Sequence, residues 1–468
     1  MRHMHCIAFG SRLFLQAMRT TIISLVLAFA AIQAVTAQVY TPSFEKYSLE
    51  NGLQVVLHQD TTIRSIVLNV AYNAGSAYDP PGKHGLANLT GSLYLVQTGE
   101  IPAQDLLAIQ YKAPGKISGR TDVDIFSTSS AFPSNYLETA LWIESSRMKS
   151  ASNALTEPMV QDAIAKIIES RKEQADVPMK DLSQAIYANL YPEGYPYRHT
   201  IGGDTAHMAT LTSKDVNSFM DRFYVPSNAS ITIGGYFDVD ETKQWVKKYF
   251  GTIPAGKQAA FGKLPPLPEL GKASMIMEEF IDHTKMFLVF PTVPLDHVDE
   301  PALEMLGTLL AGSINGKLID PLVAKNPYVT SVQAYQSSQL QDGNFWIVLD
   351  CTIEARLPDV LYSVQQLIER LGAVLIEDED VADTYTLSML GLASRMERLG
   401  GLDGRCALMN KGNLLTDSPA FYSTMVDIQR LLNANAMKEM ITKYLSFENY
   451  LVVSVVPSGK TDQAVYEP

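Results

Sequence analysis

Cysteine is scarce in this sequence, and its scarcity excludes the small proteins that disulfides hold together. Of three cysteines, Cys6 lies in an N-terminal segment of unusual composition, which leaves Cys351 and Cys406 for the folded part. Two cysteines form no disulfide framework. We expect both to be free residues of the core, and a single disulfide in an oxidising compartment is the alternative.

Positive charge is also in short supply. The chain has 37 Lys and Arg against 50 Asp and Glu, a formal net charge of −13. This balance disfavours a nucleic acid or an anionic membrane surface as partner. Past the N-terminus no run is long and apolar enough to cross a bilayer, so we expect no stable membrane insertion.

The N-terminal segment has the order of a secretory signal peptide. Arg2, Arg12 and Arg19 precede the apolar run 21–31, and small residues follow up to Ala37. Basic, apolar and small-residue regions in this order predict a signal peptide over residues 1–37, and therefore export to the periplasm. A membrane anchor is the alternative, and Met18 is an alternative start. Cleavage would remove three arginines and no acidic residue, lowering the formal net charge from −13 to −16.

The remaining chain is too long for one hydrophobic core. Prolines between positions 254 and 268 disfavour regular structure and indicate an extended linker. We therefore predict an N-terminal domain over 40–254, a proline-rich linker over 255–272 and a C-terminal domain over 273–468.

The two domains are predicted to be copies of one α+β unit. Arg222–Asn228 matches Lys443–Asn449 at an offset of 221 residues, and both segments lead from a helix into an apolar strand. The first half opens with a hairpin around Asn51-Gly52, a strong turn signal. Helical and strand periodicities predict further elements: strand 66–72, a helix capped by Thr212 with Asp215 three residues on, strand 229–233, strand 287–290, a helix around 303–310, helix 360–371 and strand 450–456.

Histidine pairs with metal-binding spacing are absent. The eight histidines include no His-x-x-Glu-His or His-Glu-x-x-His, and no two of them past the N-terminus are spaced as ligands on one helix. His84 is expected to be a solvent-facing loop residue. The sequence therefore predicts no metal site in this chain.

Three segments nevertheless resemble the pitrilysin/insulinase family of zinc metallopeptidases. They are Gly75–Ala87, Tyr191–Gly203 and Asp215–Phe237, and the resemblance extends over nearly all of the chain from Tyr47 to Ser458. In that family the first segment runs straight into His-x-x-Glu-His. Here the five positions 88–92 read Asn-Leu-Thr-Gly-Ser.

The resemblance implies that the zinc ligands have been lost. Two histidines four residues apart lie on one helix face and bind one Zn²⁺, and the adjacent glutamate deprotonates the zinc-bound water. Asn88, Gly91 and Ser92 occupy these positions. The family's third ligand corresponds to Glu169, and one carboxylate alone is no zinc site. We expect no cofactor in this chain, an exposed role for Glu169, and zinc in a partner.

The family's C-terminal domain also contacts substrate through an arginine and a tyrosine. The corresponding positions here are Lys317 and Thr330, with Tyr328 as the tyrosine if the register shifts by two. Lysine keeps the charge of arginine without its two-pronged geometry. These three residues are the candidate substrate contacts.

By analogy, each domain is expected to be an antiparallel sheet backed by helices, and the two together to form half of a clam-shell. The favoured hypothesis is a non-catalytic subunit that pairs with a zinc-bearing homologue and holds extended peptides by strand addition. Two alternatives stay open. One is an active zinc metalloendopeptidase with an unusual metal site, and the other is a periplasmic binding or scaffold protein of the same fold.

Overall fold

The chain folds into two β-sheets, each with helices on both faces. The computed structural model describes residues 41–96, 101, 104, 108–109, 115–150, 155–257, 262 and 264–466. The predicted signal peptide lies outside the described residues, as do positions 258–261 and 263 of the predicted linker. The two sheets share one compact unit, Thr41–Pro468.

The strands and helices of the described residues are numbered in chain order. The strands are β1 (Glu45–Ser48), β2 (Gln54–Gln59), β3 (Ser65–Tyr72), β4 (Lys116–Thr121), β5 (Phe126–Pro133), β6 (Ala229–Gly235), β7 (Lys272–Glu279), β8 (Thr284–Pro291), β9 (Val329–Ser338), β10 (Gly343–Cys351) and β11 (Tyr450–Pro457). The helices are α1 (Leu86–Val96), α2 (Leu137–Ser150), α3 (Glu157–Glu173), α4 (Leu182–Leu190), α5 (Thr205–Met208), α6 (Ser213–Phe223), α7 (Val239–Phe250), α8 (Glu300–Ala311), α9 (Leu357–Ala373), α10 (Asp378–Glu397), α11 (Arg405–Thr416), α12 (Phe421–Gln429) and α13 (Ala434–Tyr444).

The strand orders of the two sheets confirm the predicted duplication. The first sheet runs β1-β2-β6-β3-β5-β4 and the second β7-β11-β8-β10-β9. Without β1, the two orders correspond strand for strand. Among the described strands, each sheet has one parallel pair, β2 with β6 and β7 with β11, and the other pairs are antiparallel. The α+β class is therefore as expected, and the sheets are mixed rather than wholly antiparallel.

Local sequence signals account for several elements. The hairpin β1–β2 turns at Asn51-Gly52, where Gly52 has φ +87°, a conformation that favours glycine. Thr212 and Asp215 form the two reciprocal hydrogen bonds of a capping box at the start of α6. Both predictions are confirmed.

The outer face of each sheet is covered by a helix from the other half of the chain. Helix α11 lies on β3 and β6, where Asn410 Nδ2 donates to Asn69 Oδ1 at 2.7 Å and Asn413 Nδ2 donates to Ser230 Oγ at 2.8 Å. Helix α4 lies on β7 and β11 through an apolar cluster that includes Ile186. This exchange joins the halves into one unit.

Both cysteines of the folded part are free and buried, as expected. Cys351 belongs to the core of the second half, whereas Cys406 packs beside Val67 and Leu399. Burial raises the pKa of each thiol to about 12, so both stay protonated at neutral pH. We therefore expect them to be unreactive core residues.

Among the described residues, the structure contains no helix with the length and apolar content that a membrane crossing requires.

A buried carboxyl group makes stability depend on pH. Glu300 at the start of α8 is 5% exposed and accepts hydrogen bonds from Ser338 Oγ at 2.5 Å and Gln336 Nε2 at 3.2 Å. Burial raises its pKa to about 7, and the nearby Glu304 adds to the rise. The folded state therefore binds this proton more tightly than the unfolded state, whose carboxyl has a pKa of about 4.3.

The free energy of unfolding should fall as pH rises from about 4.3 to 7, because the folded state must then release a proton it holds more tightly. We expect Glu300→Gln to remove about 3 kcal/mol of that fall, measured by urea unfolding across this pH range. The exposed Glu193→Gln is the control and should leave the dependence unchanged. Equal pH profiles for the parent and Glu300→Gln would contradict the assignment.

Candidate functional site

The segment before α1 fixes the position of that helix. The Asp79 carboxylate is fully buried and accepts hydrogen bonds from Gly85 N at 2.6 Å and Ala87 N at 2.7 Å. Lys83 forms an ion pair with Asp215 at the start of α6. These contacts fix the start of α1 relative to the loop before it and to α6.

The two positions that carry the zinc-binding histidines in the family are occupied by Asn88 and Ser92. Asn88 is half-buried and Ser92 is exposed, one helical turn apart on α1. Ser92 Oγ donates to the Asn88 carbonyl oxygen at 3.0 Å, so the hydroxyl is engaged by its own helix. A serine hydroxyl is also not among the usual zinc ligands, which are thiolate, imidazole and carboxylate.

Gly91, at the position of the catalytic glutamate, is packed too tightly to carry a side chain. A Cβ atom there would lie 2.6 Å from Thr121 Oγ1 and 2.7 Å from the ring of Phe126. The Phe126 ring is 1% exposed and packs against Tyr94 and Tyr224, with ring centroids 5.6 and 5.4 Å apart. The space for a catalytic side chain is therefore filled by the core.

Glu169 lies on α3, next to α1, and is exposed as expected. Its nearest ionic partner is Lys172, at 3.8 Å on the same helix. One exposed carboxylate beside an amide, a hydroxyl and a packed glycine does not fit zinc. The residues at the family's zinc position therefore do not form the metal site that the fold implies.

The candidate substrate contacts in the second half are partly engaged within the chain. Lys317 Nζ lies 2.6 Å from Asp380 Oδ1, which neutralises its charge. Thr330 Oγ1 donates to the Asp350 carbonyl oxygen at 3.0 Å. Tyr328 is 49% exposed, and Thr330 is exposed as well.

His84 is not the solvent-facing loop residue that the sequence predicts. It is half-buried, and its ring stacks on His199 with centroids 3.9 Å apart and an angle of 5° between the planes. The ring of His207 approaches edge-on, with centroids 4.7 Å apart. Burial, followed by the charges of His199 and His207, lowers the pKa of His84.

The sequence gives no local signal for this histidine cluster, because 115 or more positions separate His84 from the others. The loops meet at Gly203, which has φ +63° and where a Cβ atom would lie 2.1 Å from the His84 carbonyl oxygen. At Gly85, which has φ +96°, a Cβ atom would likewise clash with the carbonyl oxygen of Gly202. In the sequence, the glycine pair 202–203 was the one feature that indicated a close approach of two backbone segments.

A cavity of about 460 Å³ lies between α4 and the second sheet. Aromatic side chains from both halves line it, namely Tyr187, Tyr191, Tyr197, Tyr335 and Trp346. The hydroxyl groups of Tyr191 and Tyr197 are held by Asn344 Nδ2 at 2.7 Å and Asp124 Oδ1 at 2.9 Å. A cleft with fixed polar groups and aromatic walls suits an apolar or aromatic side chain of a ligand.

Comparison with known proteins gives a consistent family of matches. The family model described as "Peptidase M16 inactive domain" matches residues 210–384. A relative from Bacillus subtilis (strain 168), named uncharacterized zinc protease YmxG, is 21% identical over 430 residues, which cover 89% of this chain and 98% of the relative.

Solved structures share the fold at low sequence identity. A protease from Helicobacter pylori matches with a TM-score of 0.80 at 20% identity, covering 89% of this chain and 100% of that one. The first half of the periplasmic protease PqqL from Escherichia coli matches with a TM-score of 0.74 at 14% identity, covering 92% of this chain and 96% of that one. These structures share the expected α+β fold of two helix-backed sheets, the arrangement that the sequence analysis describes as half of a clam-shell.

Proposed function

We propose that this chain, which is similar to the pitrilysin/insulinase (M16) family of peptidases, is a pseudo-peptidase subunit. It pairs with a zinc-bearing homologue and completes a peptide-degrading chamber in the periplasm. The observation that carries the proposal is the filled space at Gly91, where a Cβ atom would lie 2.6 Å from Thr121 Oγ1 and 2.7 Å from the Phe126 ring. A chain with this packing contributes shape and binding surface, and the partner contributes the chemistry.

Two surfaces support a role in holding peptides. Strand β4 is the last strand of the first sheet among the described residues, and it packs beside α1. An extended peptide added to that edge would gain main-chain hydrogen bonds and pass close to the degenerate motif. The aromatic cavity offers a second contact, for an apolar side chain of the same kind of ligand.

The size of the chain supports the pairing. It covers 96% of a structure described as the first half of a periplasmic protease. A chain equivalent to one half needs a second half to enclose a substrate. In this proposal that half carries an intact His-x-x-Glu-His, because this chain has none.

Co-purification from the native host tests the proposal. We expect the chain to be recovered in fixed ratio with a homologue that has His-x-x-Glu-His, and the complex to cleave peptides in a chelator-sensitive way. The recovered chain should begin at Gln38 if the signal peptide is removed as proposed. Recovery of a stable monomer with no relative bound would overturn the pairing and favour the binding or scaffold alternative.

A further inference from the structure

A second group of metal-binding side chains lies away from the degenerate motif. His84, Asp204 and His207 each offer one ligand atom, and these three atoms all lie within 4.8 Å of one another. The two histidines are half-buried and Asp204 is exposed, so solvent reaches the group from one side. Two imidazoles and one carboxylate are a ligand set that zinc-class divalent cations accept.

The distances are close to those of a metal shell. Ligand atoms at about 2.0–2.2 Å from zinc lie roughly 3.3 Å apart in a tetrahedral arrangement, so the group needs to close by at most about 1.5 Å. His207 Nδ1 already lies 2.7 Å from Asp204 Oδ2. Among the described residues Nδ1 is buried and has no other polar partner than this oxygen. A divalent cation bound between the two atoms would take both as ligands in place of this direct contact.

The surrounding contacts hold each ligand in place. The second oxygen of Asp204 accepts a hydrogen bond from His207 N at 2.7 Å, which fixes the carboxylate at the start of α5. The His84 ring is fixed by stacking on His199, whose Nε2 donates to the Ser76 carbonyl oxygen at 3.0 Å. Such supporting contacts orient ligands before the ion arrives.

We propose that His84, Asp204 and His207 bind one zinc-class divalent cation that clamps residues 199–208 onto the loop before α1. The ion is structural in this proposal. Asp79 contacts His199, which stacks on His84. Its carboxylate already accepts two backbone hydrogen bonds and is fully buried. It is therefore unavailable as a general base for a metal-bound water.

The competing explanation is a hydrogen-bonded and stacked histidine cluster without any ion. Both explanations predict the contacts described above, and they differ in whether the cluster takes up metal in a defined ratio. Cobalt(II) is the probe, because it occupies zinc sites and its visible absorption reports a low-symmetry site with nitrogen and oxygen ligands.

The experiment titrates Co²⁺ into the purified chain, prepared without a histidine tag, and follows visible absorption and heat. We expect one equivalent to bind, and His84→Asn and His207→Asn each to weaken binding at least tenfold. Asp204→Asn keeps the shape of the side chain and should weaken binding by a similar factor. Zn²⁺ should raise the unfolding temperature of the parent and have a smaller effect on each variant.

His283→Asn is the matched control. His283 Nδ1 lies 3.0 Å from Asp282 Oδ1, and this His–Asp pair belongs to no group of three metal-binding side chains among the described residues. This variant should bind Co²⁺ as the parent does. Absence of stoichiometric binding by the parent, or equal binding by the double variant His84→Asn/His207→Asn, would overturn the proposal. Neither result bears on the pseudo-peptidase function, which rests on Gly91 and its neighbours.

Discussion

Replacing Gly91 by glutamate is expected to unfold the first half of the chain rather than restore a catalytic base. The new Cβ atom would lie 2.6 Å from Thr121 Oγ1 and 2.7 Å from the Phe126 ring. Overpacking of this kind costs about 1–3 kcal/mol, and an unpaired carboxylate in the same buried place adds a penalty of several kcal/mol. Reconstruction of all three positions, with Asn88→His and Ser92→His, should therefore give no zinc peptidase.

A pair of alanine variants separates this packing effect from helix propensity. Gly91→Ala should lower the free energy of unfolding by about 1–3 kcal/mol. Gly391→Ala is the control, because Gly391 on α10 has no atom within 4 Å of the added Cβ position. It should raise stability by about 1 kcal/mol, the usual gain of alanine over glycine in a helix. Equal stabilisation by both, measured by urea unfolding, would show that the space at Gly91 is open.

Replacing Arg147 by methionine is expected to destabilise the chain by about 3–5 kcal/mol. Arg147 and Glu144 form an ion pair of 2.7 Å on α2, and their side chains are 0% and 1% exposed. Arg147 Nη2 also donates to the Leu95 carbonyl oxygen at 3.0 Å, near the C-terminal end of α1. Loss of the guanidinium would leave Glu144 as a buried charge without an ionic partner. The main hydrogen bond to its carboxylate would then be the one that Ser130 donates.

Two further variants check that explanation. Lys166→Ala removes an exposed ion pair with Asp162 and should change the free energy of unfolding by about 0.5 kcal/mol or less. The double variant Arg147→Met/Glu144→Leu removes both charges and should recover part of the loss. A double variant less stable than Arg147→Met alone would show that the uncompensated charge of Glu144 is not the cause.

The sequence was sufficient for the elements whose signals are local. The turn at Asn51-Gly52, the cap at Thr212 and the offset of 221 residues all depend on residues within a few positions of one another, or on a repeated segment. The duplication then accounts for the matching strand orders. Contacts between segments far apart in the chain could not be predicted from local signals. The packing of α11 on the first sheet is one example.

In the candidate site, too, features with a local signal could be predicted and contacts between distant segments could not. The loss of ligands at Asn88, Gly91 and Ser92 was readable from a motif, whereas the packing that fills the space at Gly91 needed β4 and β5 in place. The histidine cluster was missed because its members are far apart in the chain. Their meeting depends on backbone contacts at Gly85 and Gly203.

Peptide hydrolysis by the isolated chain tests the central claim most directly. The purified chain is supplied with Zn²⁺, incubated with a mixed peptide library, and its products are analysed by mass spectrometry with and without chelator. We expect no chelator-sensitive cleavage, even if one equivalent of metal is bound at the histidine cluster. Cleavage that chelator abolishes, zinc restores and Glu169→Gln removes would contradict it.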